Sequence, residues 1–318
     1  MRFSVLALVL VFFVCSLSCS NGQSSFPNTI NVTKTAGMKR IKGTKLFVSA
    51  PAIYQPIESM VRLQKDDNTY LTAIEIPNSN FKEYKSQLTR EAIESKGAKI
   101  DIDKPVKYNG YDAIYFLGPS KKAGETKIGL AFGDETFAMV IGGVCQTADK
   151  AAINELNEII RTSYYDKSVE FNPLELINFT FDESITGFKY ATTMGNVFFY
   201  TPNGKADLDK SNDVPSTFQL FTIELPSFSN AKEFLDYTIS RYSNQGIQVS
   251  NVKKQDIIID GNNAYEVIMD ATDASDKKNI LYHLMIHKGT KAVLFTGADG
   301  EQGKWLDKFK ATAQSIKM

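Results

Sequence analysis

The chain carries an internal repeat, which constrains its architecture more than any single motif. Residues 72–84, TAIEIPNSNFKEY, return about 150 positions later as TIELPSFSNAKEF, residues 222–234. Each copy runs Ile-Glu-(Ile/Leu)-Pro, then Ser-Asn-x-Lys-Glu, then an aromatic residue. The neighbouring segments match too. Asn109-Gly110 answers Asp260-Gly261, Ala138-Met139-Val140 answers Ala292-Val293-Leu294, and Leu156 and Ile159 answer Leu306 and Phe309. A tandem duplication of one unit of roughly 140 residues follows, an ordinary size for a domain.

The start of the chain has the pattern of an export signal. Arg2 is followed by an apolar run from Val5 to Val14. That run is far shorter than the roughly 20 apolar residues a spanning helix needs. Ser16-Leu17-Ser18-Cys19 then resembles a bacterial lipoprotein cleavage region, although Ser16 stands where that pattern usually has Leu. The expectation is a signal peptide over 1–19, a lipid on Cys19 and a Ser/Asn/Thr-rich tether over 20–36. The protein is then an outer-membrane lipoprotein facing the periplasm or the surface. If Cys19 carries no lipid, it is periplasmic or secreted. Two copies follow, at 37–166 and 172–318.

Composition narrows the function classes. Lys and Arg number 36 and so do Asp and Glu, with no long run of either sign. Nucleic-acid binding, which needs a basic patch or stripe, is not expected. Of three cysteines, Cys15 lies in the signal, so Cys145 has at most Cys19 for company and no disulfide framework is available. Cys145 is expected to be buried and unreactive.

Within each copy, Asn80-Phe81-Lys82-Glu83 and Asn230-Ala231-Lys232-Glu233 fit a capping box and predict helices that stop at Gly97 and Gly246. Asn109-Gly110 and Asp260-Gly261 predict tight hairpins. Second hairpins join Lys127–Phe132 to Phe137–Ile141, and Ile280–His287 to Lys291–Thr296. A closing amphipathic helix ends each copy. Two strands precede each first helix, at Lys45–Ser49 and Tyr70–Ile76, and at Asn196–Thr201 and Thr217–Leu225. The expected order is β-β-α-β-β-β-β-α. The expected fold class is α+β: two tandem repeats, each a mainly antiparallel sheet packed with two helices.

This order, with its capped helix and glycine-turn hairpin, resembles the PsbP-like superfamily, which includes the Ran-binding Mog-type proteins. The resemblance implies a binding or assembly role, because such proteins serve as accessory subunits, GTPase partners and envelope factors, and enzymes are not typical. It places no functional residue on this chain.

Candidate sites are few. His283 and His287 are the only histidines. On a strand they share a face about 13 Å apart, too far for one metal, and solvent-facing side chains are expected. Ser79-x-x-Lys82 and Ser229-x-x-Lys232 match the Ser-x-x-Lys pattern of penicillin-binding enzymes but lack its companion motifs. Asp207, Asp209, Ser211 and Asp213 imitate the start of a calcium loop. Asn212 replaces the turn glycine there and Phe218 the bidentate Glu, so a solvated hairpin tip is the plainer reading. No catalytic residue, metal or cofactor is expected. Phe198-Phe199-Tyr200 and Tyr164-Tyr165 are expected to pack the copies together or line a cleft. The expected function is a non-catalytic binding or assembly module with an envelope protein as partner. The alternatives are capture of a small apolar or glycan ligand between the copies and, more weakly, hydrolysis.

Overall fold

Two tight turns organise the chain. Asn109 and Gly110 adopt φ of 46° and 86°, and Asp260 and Gly261 adopt 48° and 74°. Positive φ at both central residues is what a two-residue hairpin requires, because its twist then matches that of the flanking strands. The computed structural model describes residues 26–58, 60–95, 99–170, 172–206 and 216–318.

The first part runs β1 (Thr29–Ile30), β2 (Lys39–Arg40), β3 (Leu46–Val48), β4 (Gln55–Pro56), β5 (Arg62–Asp66), β6 (Thr69–Pro77), α1 (Phe81–Ser86) and α2 (Arg90–Glu94). It continues through β7 (Ile102–Tyr108), β8 (Tyr111–Pro119), β9 (Glu125–Gly133), β10 (Phe137–Gln146), α3 (Lys150–Arg161) and β11 (Tyr164–Tyr165). After a short 3-10 turn come β12 (Lys189–Met194), β13 (Val197–Thr201), β14 (Thr217–Glu224) and α4 (Phe228–Ser240). The chain closes with β15 (Gln248–Ile259), β16 (Asn262–Thr272), β17 (Lys278–Lys288), β18 (Lys291–Asp299) and α5 (Leu306–Gln314).

Eight strands form one sheet in the order β1-β7-β8-β9-β10-β6-β5-β4, and seven form another in the order β15-β16-β17-β18-β14-β13-β12. Apart from β1, the two follow the same plan: two hairpins, then the strand that precedes the first helix. A third, small sheet is β11-β3-β2.

The α+β expectation with two helices per repeat is overturned. Among the described residues strand makes up 44% and helix 19%, with the strands spread over three sheets, so the architecture is mostly β. Two causes are local. The expected first helix of the first half is broken. Gln87 ends α1, and Thr89 starts α2 by accepting from Ala92 N–H, a side-chain cap that competes with a continuous helix. Strands β5 and β12 also add pairing that their short, mixed sequences did not announce. The second helix begins earlier than Asn230: Ser227 is the cap, accepting from Asn230 N–H. Asn80 does cap α1, through Lys82 N–H.

Each main sheet carries one helix pressed against a mid-strand glycine. A Cβ at Gly143 would lie 3.0 Å from Leu156 Cδ2 of α3, and one at Gly297 would lie 2.5 Å from Phe309 Cδ2 of α5. Only hydrogen at these positions lets the helix approach. Helix α3 then buries Ile153, Leu156, Ile159 and Ile160, each worth roughly 1.5–3 kcal/mol of transfer free energy. One apolar cluster runs from Phe26 through Tyr165, Leu176 and Phe188 to Ile316, joining both halves.

Part of the expected tether packs on the sheet. Phe26 stacks on Tyr115 at 3.8 Å and Ile30 is buried. Strand β1 pairs in parallel with β7, and Lys107 N–H donates to Asn28 O.

Candidate functional site

The junction between the two halves is built on β6 and β12. Thr192 Oγ1 donates to Glu75 O at 3.0 Å, and Val61 N–H donates to Gly195 O at 3.3 Å. Glu75 is buried in this contact. Its carboxylate accepts from Lys45 N–H at 2.8 Å and from Tyr165 Oη at 2.9 Å. Burial nonetheless pushes the Glu75 carboxyl above its ordinary range, more than these donors and the nearby Lys45 and Arg40 charges pull it down. Tyr165 in turn stacks on Phe137 at 4.4 Å.

A second tie crosses from the N-terminal half to the joint. Arg40 makes a two-pronged contact to Glu175, 2.6 Å on each arm, and Gly43 N–H adds a third donor at 2.6 Å. Burial raises the Glu175 carboxyl, but the Arg40 and Gly43 hydrogen bonds hold it below the usual range. Leu176 packs directly over Gly43.

These ties leave two hollows. One, of ≈ 120 Å³, has a floor of Ile41, Val48 and Tyr54, with Arg40 and Arg62 also lining it. The other, of ≈ 370 Å³, lies between the halves and is lined by Ile57, Glu58, Met60, Asn196, Thr222 and Lys291, among others. Lys291 Nζ bridges to Glu58 across it at 2.7 Å. The buried Thr222 hydroxyl has no protein partner there.

The aromatic clusters do not line these hollows. Phe198 and Tyr200 are fully buried, and Tyr200 stacks on Phe218 at 4.5 Å within the second half's own core. Tyr165 belongs to the Glu75 network.

The histidine expectation is corrected. His283 is buried, with Nδ1 3.0 Å from Thr296 Oγ1 and Nε2 3.2 Å from Tyr242 Oη. Helix α4 covers its face of the sheet, so both faces of β17 are packed. Burial lowers its pKa to about 4. His287 is half-buried, with Nε2 3.0 Å from Leu225 O. Ser229 is exposed at the start of α4, while Lys232 is held by Asp256 at 2.8 Å. Ser79 lies in the extended link before α1. Cys145 is buried and its thiol is pushed up to about 11 by burial. Cys19 and the loop with Asp207, Asp209, Ser211 and Asp213 lie outside the described residues. Among the described residues, no group of three or more His, Cys, Asp or Glu gathers as a metal site.

The sequence reading missed the outer edge of β15. Val252 is 41% exposed, Ile258 64%, and Tyr237 on neighbouring α4 60%. These are three of the five large apolar side chains most open to solvent among the described residues. The signal was present: Ile257-Ile258-Ile259 stands where the first half has Val106-Lys107-Tyr108.

No protein-family model matches the sequence, and no curated relative matches it. Among solved structures, the chain is similar to cyanobacterial PsbP (CyanoP) from Synechocystis sp. PCC 6803, at 10% identity and a TM-score of 0.30, over 48% of this chain and 99% of that one. It is similar to PA94 from Pseudomonas aeruginosa, a protein of unknown function, at 12% identity and 0.28, over 49% and 94%. The immunity protein TplEi from Pseudomonas aeruginosa, complexed with "L" peptide, matches at 8% identity and 0.28, over 89% and 99%. Likenesses at this level place no residue and no partner on this chain.

Proposed function

We propose that the chain is an exported cell-envelope protein, lipid-anchored at Cys19, whose two PsbP-like units form a non-catalytic binding and assembly module. The observation that carries the reading is the apolar exposure at β15 and α4, where Tyr237, Val252 and Ile258 stand open to solvent. Large apolar side chains held open at the edge of a sheet favour an interaction surface. An edge strand adds unpaired backbone donors and acceptors to the same surface.

The test is a comparison of proteins retained by the full chain and by its Ile258→Lys variant from detergent-solubilised envelopes. A stoichiometric companion present with the first and lost with the second supports the reading. Equal retention by both sinks it. Intact mass of the purified chain tests the anchor, since an unmodified N-terminus rules out lipid on Cys19.

A second reading, capture of a small ligand between the halves, is favoured by the ≈ 370 Å³ hollow. Pockets for small molecules usually begin at about 300 Å³. Native mass spectra of the purified chain would show such a ligand as a discrete added mass.

A further inference from the structure

The two halves treat the same edge differently. In the first, Lys107 N–H points away from β8 and is taken by Asn28 O, and Asn109 N–H is taken by Ile30 O. Strand β1 thus covers the outer edge of β7 at its turn end. In the second, β15 ends the sheet, and no strand lies beyond it among the described residues.

Matching the Asn109-Gly110 and Asp260-Gly261 turns aligns Lys107 with Ile258, Pro105 with Asp256 and Asp103 with Lys254. Lys107 sends its N–H outward, and both hairpins close on a two-residue turn, with Tyr108 opposite Tyr111 and Ile259 opposite Asn262. The same alternation therefore sends the N–H and C=O of Lys254, Asp256 and Ile258 outward. The first half guards its edge at these positions with Pro105 and Lys107 and covers it as well. The second has Asp256 and an exposed Ile258. Its one irregularity lies upstream, a register shift between Ser250 and Lys253 with Asn251 at φ 51°.

The open edge is complementary to itself. Two β15 strands laid antiparallel, with a twofold axis at Gln255, bring Lys254 opposite Asp256 and Val252 opposite Ile258. All four side chains point to the α4 face, where Lys254 already meets Asp236 and Asp256 meets Lys232. The outward-facing residues are then opposite one another, as hydrogen-bonded pairs require. Sliding either way by the next allowed step sets Lys254 against Lys254, or Asp256 against Asp256, and like charges directly opposite are destabilising.

We infer that β15 pairs with β15 of a second copy of this chain about a twofold axis at Gln255, forming one continuous sheet with seven strands from each copy. A closed twofold dimer is the commonest oligomer and leaves neither β15 edge free. The inference rests on the reading of this edge as a binding surface and names its occupant.

Light scattering on the purified full chain is expected to give the dimer mass. Asp256→Pro and Ile258→Lys are expected to give the monomer. Proline removes only an outward N–H, and the fold accepts proline at the equivalent Pro105. Register is read by mixing Lys254→Cys chains with Asp256→Cys chains under mild oxidation. Cα atoms of a hydrogen-bonded pair lie about 5.5 Å apart, within disulfide reach. A link between residues 254 and 256 is expected in the mixture and in neither variant alone; Cys145 is buried and does not compete. A monomeric wild-type chain, or equal linking in the single variants, overturns the inference. If the wild type is monomeric yet Asp256→Pro still loses its envelope companion, the edge is a binding surface with a different occupant.

Discussion

His283 is neutral in the folded chain, and acid should expose that. The imidazole is fully buried between Tyr242 and Thr296, and burial lowers its pKa from 6.5 to about 4. The unfolded chain therefore binds a proton between these values that the folded chain excludes. Stability from this group is complete above pH 6.5 and is lost as pH falls toward 4. At about 1.4 kcal/mol per unit, the loss reaches about 2 kcal/mol at pH 5 and about 3 kcal/mol at pH 4. That is a large share of the 5–15 kcal/mol or so by which domains are usually stable. Urea unfolding from pH 7 to pH 4, for wild type and His283→Gln, measures it. Glutamine keeps a donor and an acceptor but cannot take up the proton. The wild-type midpoint should fall more steeply with acid, and the gap between the two curves should close by about 3 kcal/mol. Glu75 works in the opposite sense. Its raised pKa contributes stability that is present below the ordinary carboxylate range and lost as pH rises through the folded value. It is common to both proteins and cancels in the difference. Parallel curves would refute the argument, because they would mean that His283 takes up its proton without unfolding.

Four further outcomes are expected. Gly297→Ala should cost about 1–3 kcal/mol in a thermal melt, since the new methyl meets Phe309 at 2.5 Å; Gly143→Ala, against Leu156 at 3.0 Å, should cost less. Phe26→Ala should lose roughly 1.5–3 kcal/mol of burial and expose the β7 amides to hydrogen exchange, because Phe26 on Tyr115 holds β1 in place. Arg40→Lys should cost about 1 kcal/mol by chemical denaturation, since an ammonium cannot reproduce both prongs to the partly exposed Glu175. Cys145 should resist alkylation by iodoacetamide at pH 8 until the chain unfolds, being buried with a thiol pushed up to about 11.

What the sequence revealed was local, and what it concealed was partly local and partly set by contacts far along the chain. The hairpin turns were legible because Asn-Gly and Asp-Gly have few other uses between strand-like runs. The inward faces of α3 and α5 were legible because helical spacing marks them. The fold class was not. Thr89 caps a second short helix with a side chain that fits a helix interior as readily, and β5 and β12 pair with the strands that directly follow them, across Asp67-Asn68 and Gly195-Asn196, turns without the Asn-Gly or Asp-Gly signal. His283 was misplaced because Tyr282, Leu284 and Ile286 mark one apolar face. Leu281 and Met285 on the other face were the warning that both are buried. The burial of Glu75 had no local sign: its donors, Lys45 and Tyr165, lie 30 and 90 residues away.

The open edge follows from the duplication itself. A unit of this design leaves the strand before its tight turn unpaired on the outside, and the chain has one leading segment to cover it. Residues 28–30 take that place on β7. The segment that leads into the second unit is committed elsewhere: Glu175 to Arg40, Leu176 over Gly43, and Thr180 to a bridge with Lys317. It cannot also reach β15. The repeated plan therefore presents the same edge twice, and among the described residues only one of the two is covered. The two sequences differ accordingly, with Pro105 and Lys107 on the strand that has a cover and Ile258 on the strand without one among the described residues. A covered edge can keep polar guards without cost, whereas apolar side chains on an open edge gain only if something lies against them.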